Sequence, residues 1–251
     1  MHSIGTKHLH RIRCHSHSSL LARRYMSASS TDDEDGRGAH KHINEDLVPI
    51  MDRLHASIFQ IRNIRGNNYV QLATVSEDGL PTCRTVVFRG FLHHDTSLFG
   101  ASSSMQFITD SRSNKVAHLK HHPAGEVVWW MPSISEQFRI SGSLTAISAQ
   151  HSDKSMVAAR LDIWHTLSAQ AKQQFFWNDP GRPYLEPPVA VSSTDCAMVP
   201  PPENFLLLLL LPHRLHFLRL KDNYAQQDER RTLSDIQSSS GHRWQCCRVN
   251  P

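Results

Sequence analysis

Between residues 69 and 142 apolar and polar positions alternate with a period near two, and this pattern predicts one long antiparallel β unit. Tyr69–Val75 and Thr82–Arg89 flank Glu77-Asp78-Gly79, a hairpin signal. Ser97–Ala101 reads as another short strand, followed by the polar segment Thr109–Lys115. Glu126–Met131 is a more continuous apolar run carrying Trp129 and Trp130, as a buried strand requires. In Glu136–Leu144, Gln137, Arg139 and Ser141 share one face, and Phe138 and Ile140 the other.

Helical spacing appears in two places. Leu47, Ile50, Met51, Leu54, Ile58 and Ile61 make one apolar stripe, with Asp46 available as a cap and Gly66 as a stop. Residues 153–176 read as a second long helix, with Ser152 at the cap and Asn178-Asp179-Pro180-Gly181 after it. A shorter helix is expected to begin at Ser111–Ser113 and to end at His121-His122-Pro123. The seven apolar residues Phe205–Leu211 sit between Pro200-Pro201-Pro202 and Pro212. A membrane-spanning helix needs about 20, so a buried strand is the better reading. Leu215–Leu220 and Trp244–Val249 read as further short strands. Many short strands with a few flanking helices predict a mainly β fold, a small barrel with helical additions.

Arg84 is the first candidate for chemistry. On its strand Thr82, Arg84, Val86 and Phe88 face one way, so a guanidinium shares a face with apolar residues. An unpaired charge there is costly, and no carboxylate stands nearby in sequence. The segment 109–115 offers hydroxyls, Arg112 and Lys115 instead. If Ser113 caps a helix, its first-turn amides add an anion seat. Together these residues point to a bound phosphate.

Composition narrows the alternatives. A net charge of +4, much of it N-terminal, and the lack of a basic stripe with interleaved aromatics argue against nucleic acid. Cys14, Cys83, Cys196, Cys246 and Cys247 form neither a C-x-x-C pair nor a disulfide framework. Eighteen histidines include H-x-H pairs but no H-E-x-x-H, and no matched metal-ligand set emerges. Residues 1–31 hold five lysines and arginines, many serines and no acidic residue, the composition of a transit peptide. A mitochondrial address is expected, with plastid or cytoplasm as alternatives. Residues 32–44 read as an acidic, polar linker, and 45–251 as the folded domain.

An ordered set of motifs carries a resemblance. Arg84-Thr85-Val86-Val87-Phe88-Arg89-Gly90-Phe91, Ile108–Lys115, Gln137 ahead of Gly142, Leu161–Trp164, Gln174–Trp177, Asp179-Pro180-Gly181 and the ending Arg248–Pro251 resemble the FMN-binding split β-barrel family of pyridoxamine 5'-phosphate oxidase, in its oxidase-related branch. The resemblance implies FMN as cofactor, a small-molecule substrate and a homodimer with FMN in the subunit interface. It matches Arg84 and Lys115 to residues on the FMN phosphate, and Thr109 to a further FMN contact. Ser113 joins them as the cap of the same helix. Val86 and Val87 match residues beside the flavin, Gln137 one near the isoalloxazine, and Arg231 a late arginine of the family. Arg89 stands where the oxidases usually have lysine, and strand parity puts it opposite Arg84 unless a bulge or strand end intervenes. Two substrate-holding features of the oxidases are expected to be missing. Ser155 and Met156 stand near the place of a tyrosine, and Arg230-Arg231-Thr232-Leu233 lacks the late Arg-x-His. The expected function is that of a flavin-dependent oxidoreductase. The rivals are a flavin reductase acting with a nicotinamide nucleotide and a non-catalytic flavin- or haem-binding protein, for which His93, His94, His121 and His122 are candidate haem ligands.

Overall fold

Eight strands, all paired antiparallel, make the body of the fold in this computed structural model, which describes residues 47–92, 104–186, 199–230 and 244–251. β1 (Tyr69–Val75) and β2 (Pro81–Val87) form the expected hairpin, with Gly79 at φ 79° in its turn. β1 also pairs with β4 (Ala124–Met131), β4 with β5 (Glu136–Ile147), and β5 with β6 (Phe205–Arg219). β6 has two more neighbours: β3 (Met105–Asp110) along its first half and β7 (Tyr224–Arg230) along its second. β8 (Trp244–Val249) lies on β7. Beyond β2 the chain closes a ring onto β3. The Arg89 amide donates to Gln106 O (2.9 Å), the Gln106 amide to Gly90 O (2.8 Å) and the Leu92 amide to Ser104 O (2.9 Å). A barrel closed in this way leaves no open edge within the ring.

Among the described residues four helices accompany the sheet: α1 (Ile50–Ile61), α2 (Asn114–His121), α3 (Lys154–Thr166) and α4 (Ala169–Gln173), the last running into a 3₁₀ turn at Gln174–Phe176. The inward positions of the strands form the main core. Val70, Leu72, Val127, Trp129, Phe138, Ile140, Leu208, Leu210, Leu215 and Phe217 are buried there, with Ile50 and Leu54 of α1 against them. On β6 the odd residues Phe205, Leu207 and Leu209 turn the other way, into a second core with Ile163, Trp164, Leu167 and Phe175. Its first half is therefore buried on both faces, which is why the sequence shows a continuous apolar run there rather than an alternation. Truncating Leu207 or Leu210 to alanine would cost about 2–5 kcal/mol.

Several sequence expectations are corrected. The two strands read at Leu206–Leu211 and Leu215–Leu220 are one strand of 15 residues. Pro212, which has no amide to donate, sits opposite Gly142 where the register shifts after Ser141. A Cβ on Gly142 would lie 2.4 Å from Leu211 O, so only glycine fits this close approach. The long helix read over 153–176 breaks at Leu167, whose ψ of 141° is extended, because Ser168 caps a new helix by accepting from the Ala171 amide (3.3 Å). The cap of α3 is Asp153 rather than Ser152, through a 2.8 Å bond from the Ser155 amide. The strand β7 was not anticipated, since Tyr-Ala-Gln-Gln-Asp-Glu-Arg shows no apolar alternation. Its Gln226 and Asp228 are buried because they hold the start of α1: the Ile50 amide donates to Asp228 Oδ2 (2.6 Å), and Gln226 Nε2 donates to Val48 O (2.9 Å). The cap expected from Asp46 and the strand expected at Ser97–Ala101 lie outside the described residues.

Candidate functional site

β2 puts Arg84 opposite Leu72 of β1, and Thr82 opposite Thr74, all on the inward face. Arg84 reaches along its own sheet. One terminal nitrogen donates to Leu72 O (3.0 Å) and Thr74 Oγ1 (2.7 Å), and the other donates to Thr82 Oγ1 (2.7 Å). None of these acceptors carries charge. Among the described residues no carboxylate forms an ion pair with Arg84 or with Lys115. The guanidinium keeps donors beyond these bonds, which suits bidentate recognition of a phosphate.

The other half comes from the end of β3 and the start of α2. Thr109 and Ser113 are buried, with their hydroxyls 3.1 Å apart. Lys115 Nζ donates to both, at 3.1 Å each. Ser113 occupies the N-cap position but makes no side-chain cap bond, since its hydroxyl donates to Asp110 O (2.7 Å). The first-turn amides therefore receive no side-chain acceptor from Ser113. One turn along α2, His118 Nδ1 lies 3.0 Å from Thr74 Oγ1 and 3.4 Å from Thr82 Oγ1. This links the helix to the hydroxyls that hold Arg84.

The electrostatics describe one cationic cluster. Burial pushes the Arg84 pKa down from its ordinary value. Burial, and then the charge of Arg84, lower that of Lys115, against a weaker opposing pull from Asp110. His118 is lowered by burial, then by Arg84 and Lys115. Like charges held near one another without a counter-charge make a site for an anion. Arg112 does not belong to it. Its guanidinium is bound to Asp110 (2.7 Å) and Asp179 (2.7 Å) and to Trp177 O.

The remaining residues named from sequence fall into three places. Val86 shares the inward face of Arg84 and packs on the core. Val87 is opposite Tyr69 on the outward face, and Gln137 is opposite Trp130, on a side where Tyr69 and Trp130 are 56% and 41% exposed. One sheet thus separates Gln137 and Val87 from the Arg84–Lys115 cluster. Arg89 follows the end of β2, beside Gly90 at φ 119°. The strand end anticipated for Arg89 is present, and its Nε is buried without a hydrogen-bond partner. An orphaned buried donor is costly and calls for an acceptor. Arg231, His93 and His94 lie outside the described residues. Thr74, Thr82 and His118 were not among the residues proposed from sequence as binding residues. The legible signal was the three-residue spacing from Lys115 to His118, which puts both on one helix face. Among the described residues no group of three or more His, Cys, Asp or Glu is placed to hold a metal, and no helix is long and apolar enough to cross a membrane.

Residues 48–148 match the family described as pyridoxamine 5'-phosphate oxidase, FMN-binding domain. Over 207 residues the chain is 33% identical to pyridoxine/pyridoxamine 5'-phosphate oxidase 2 of Arabidopsis thaliana, spanning 82% of this chain and 98% of that protein. The chain belongs to the pyridoxamine 5'-phosphate oxidase family. A pyridoxine/pyridoxamine 5'-phosphate oxidase of Pseudomonas syringae pv. syringae is 30% identical over 66% of this chain and 75% of its own. Among solved structures, a pyridoxamine 5'-phosphate oxidase-related, FMN-binding protein of Nostoc punctiforme superposes with a TM-score of 0.66 at 33% identity, covering 82% of this chain and 100% of that one. PhzG of Burkholderia lata, at 17% identity and a TM-score of 0.58, covers 80% of this chain and 91% of its own and shares the fold. The split β-barrel expected from sequence is the fold of this family, and FMN is the family's cofactor. The cluster of Arg84, Lys115, Thr109 and Ser113 lies within the matched domain and suits the phosphate of that cofactor.

Proposed function

We propose that this protein is an FMN-dependent oxidoreductase that works as a homodimer. The observation that carries the reading is the pair Arg84 and Lys115, partly buried, bonded to hydroxyls and a carbonyl, and facing no carboxylate. The phosphate of FMN supplies the missing charge. Arg84 would grip it with its fork and Lys115 as a point charge. Thr109 and Ser113 hold the Lys115 ammonium in place. Arg89, with its unpaired Nε, lies beside Tyr69 on the other face of the sheet, where it would offer a donor to a ligand group on that side. Bound FMN would supply hydride acceptance from a substrate carbon and return of the electrons to an acceptor, chemistry that belongs to the cofactor.

The dimer part of the reading rests on the two sheet faces. Gln137 and Val87 lie on the outward face and Arg84 on the inward one. A second copy of the chain would bring Gln137 to the flavin, and would cover the exposed Tyr69 and Trp130. Sedimentation at micromolar concentration is expected to give a dimer. A monomer that retains FMN would sink the shared site.

Within this chemistry we infer that pyridoxamine 5'-phosphate is turned over slowly or not at all. The Ser155 hydroxyl is bonded to Asp153 (2.6 Å) near the place of the oxidase tyrosine, but the Arg-x-His expected to be missing is present on β6 as Arg214-Leu215-His216, so the substrate reading rests on the tyrosine alone. A site that loses polar partners of its substrate loses most of its rate. Purified protein should release FMN on denaturation and show flavin absorption when folded; a colourless protein that takes up no FMN overturns the reading. Formation of pyridoxal 5'-phosphate at about 1 per second or faster would overturn the substrate part alone. The mitochondrial address stays a proposal resting on residues 1–31, and a reporter fused to residues 1–45 tests it; a diffuse cytosolic signal ends it.

A further inference from the structure

His118 stands where an ordinary surface helix would need no particular residue, yet its ring is tied to both hydroxyls that hold Arg84. The protons of this network can be traced. Thr74 Oγ1 and Thr82 Oγ1 each accept from the Arg84 guanidinium at 2.7 Å. The Thr82 hydroxyl donates to Thr74 O (3.2 Å). The Thr74 hydroxyl then has two acceptors in reach, His118 Nδ1 at 3.0 Å and Thr82 Oγ1 at 3.1 Å. In the first arrangement Nδ1 accepts, so the ring is neutral and carries its proton on Nε2. In the second, the Thr74 hydroxyl turns to Thr82, and Thr74 Oγ1 is left to accept from a protonated Nδ1. Only one hydroxyl rotates. The site is built for either charge state of the imidazole, and the surrounding charges decide between them.

Those charges are all of one sign. Arg84 faces His118 from β2, and Lys115 stands one turn back on the same helix. Residues 70–75 of β1 and 142–147 of β5, the strands packed against α2, carry no ionisable side chain. Cys83 of β2 is on the outward face. Lys120 is the next cation on α2, and the His121 ring beyond it has the surface carboxylate Glu77 at 3.5 Å from Nε2. Among the described residues nothing acidic reaches His118, so without a ligand its protonated form is disfavoured by burial, and then by the charges of Arg84 and Lys115.

We propose that His118 is a proton-taking member of this anion site: neutral while no phosphate is bound, it takes one proton from solvent onto Nδ1 when a phosphate settles against Arg84 and Lys115. The proposal rests on the FMN reading above, because the phosphate is taken to be that of FMN. A phosphate dianion offsets the repulsion from Arg84 and Lys115 that adds to burial in disfavouring the charged ring, and the Thr74 hydroxyl turns to make room for the new N–H. By linkage, a ligand that raises the pKa of a group binds more tightly as pH falls from the bound-state value toward the free-state value. FMN uptake is therefore coupled to proton uptake at one residue, and riboflavin uptake is not.

The test is a ring titration of His118 by NMR on the unsubstituted protein, without ligand, with FMN, with riboflavin and with inorganic phosphate. The midpoint should rise by about one unit or more with FMN and with inorganic phosphate, and stay in place with riboflavin. One unit corresponds to a tenfold change in FMN affinity across the titration, at about 1.4 kcal/mol. His118→Gln should lose that pH-dependent component. The protonation of the FMN phosphate itself, near pH 6, is common to both proteins and drops out of the comparison. A His118 midpoint unmoved by FMN and by inorganic phosphate, or moved equally by riboflavin, overturns the proposal. If the protein binds no FMN, the reading of its function fails, while the inorganic phosphate arm still decides on His118. The ring titration needs no variant, so it stands even if His118→Gln fails to fold.

Discussion

Two arginines near the same polar segment, Arg84 and Arg112, behave in opposite ways. Arg112, just before α2, has its charge met by the carboxylates of Asp110 and Asp179. Arg84, on β2, is surrounded by hydroxyls and a carbonyl, with Lys115 as a second cation nearby. The first arrangement is complete in itself and ties the 177–179 segment to the end of β3. The second satisfies hydrogen bonds without balancing charge. Cations whose hydrogen bonds are satisfied but whose charge is unmet mark a ligand site, while a cation met by carboxylates is a mark of structure.

The largest test of this contrast is Arg84→Ala. A hydrogen bond to a charged group is worth about 1.5–3 kcal/mol, so FMN should bind about 10- to 150-fold more weakly, with riboflavin little changed. Fluorescence titration of the apoprotein reads both. Equal weakening of the two ligands would make Arg84 a structural residue like Arg112. Lys115→Ala should weaken FMN less, by about 3- to 12-fold, because lysine lacks the fork. Since the two residues share one phosphate, the double variant should fall short of or exceed the simple sum. Additivity within error would separate them into different sites.

Arg112→Ala is the converse experiment. FMN affinity should stay within about twofold, while the loss of exposed ion pairs lowers stability by about 1 kcal/mol, or about 2–4 °C in melting temperature. A large loss of FMN with unchanged melting would invert the assignment. The smallest effect concerns Asp110. Burial works against its carboxylate, but hydrogen bonds from Arg112 and Asn204 outweigh burial and hold it below its ordinary value of 3.8. A lowered folded-state pKa gives stability that is present above pH 3.8 and is lost as pH falls through the folded-state value. Asp110→Asn should thus start less stable near neutrality and lose less on acidification. Parallel acid unfolding curves for the two proteins would show that the Arg112 network contributes nothing pH-dependent.

Sequence made Arg84 conspicuous because strand parity is a short-range rule: a charge among Thr82, Val86 and Phe88 is anomalous whatever the fold. It could also pair β1 with β2 through Gly79. What it could not show was Thr74 beside Thr82, since cross-strand neighbours depend on register, nor His118 over both, since that depends on where α2 packs. The strand β7 was hidden for a related reason. Gln226 and Asp228 look like surface residues until α1 is laid on them and its first amide finds Asp228. Pro212 misled in the other direction. A proline normally interrupts a ladder, and here a register shift at Gly142 absorbs it. The separation of Gln137 from Arg84 by a sheet was likewise beyond reading from motifs, which record order along the chain but not the side on which a residue ends up.

The closure of the ring has a consequence for how the protein is made. Apart from the 89–92 segment at its start, β3 is held along its whole length by β6, about a hundred residues later, through partners such as Thr109 and Leu206, and the Ser111 amide is fixed by Asn204 O at 2.8 Å. Half of the anion site hangs from the end of β3. It cannot exist on a nascent chain until nearly the whole domain has been synthesised and its most distant strands have met. FMN therefore cannot template early folding of this protein; it can only reward the finished barrel, by mass action on the native state. Adding FMN to a refolding mixture should leave the rate-limiting phase untouched and raise the resistance of the product to heat.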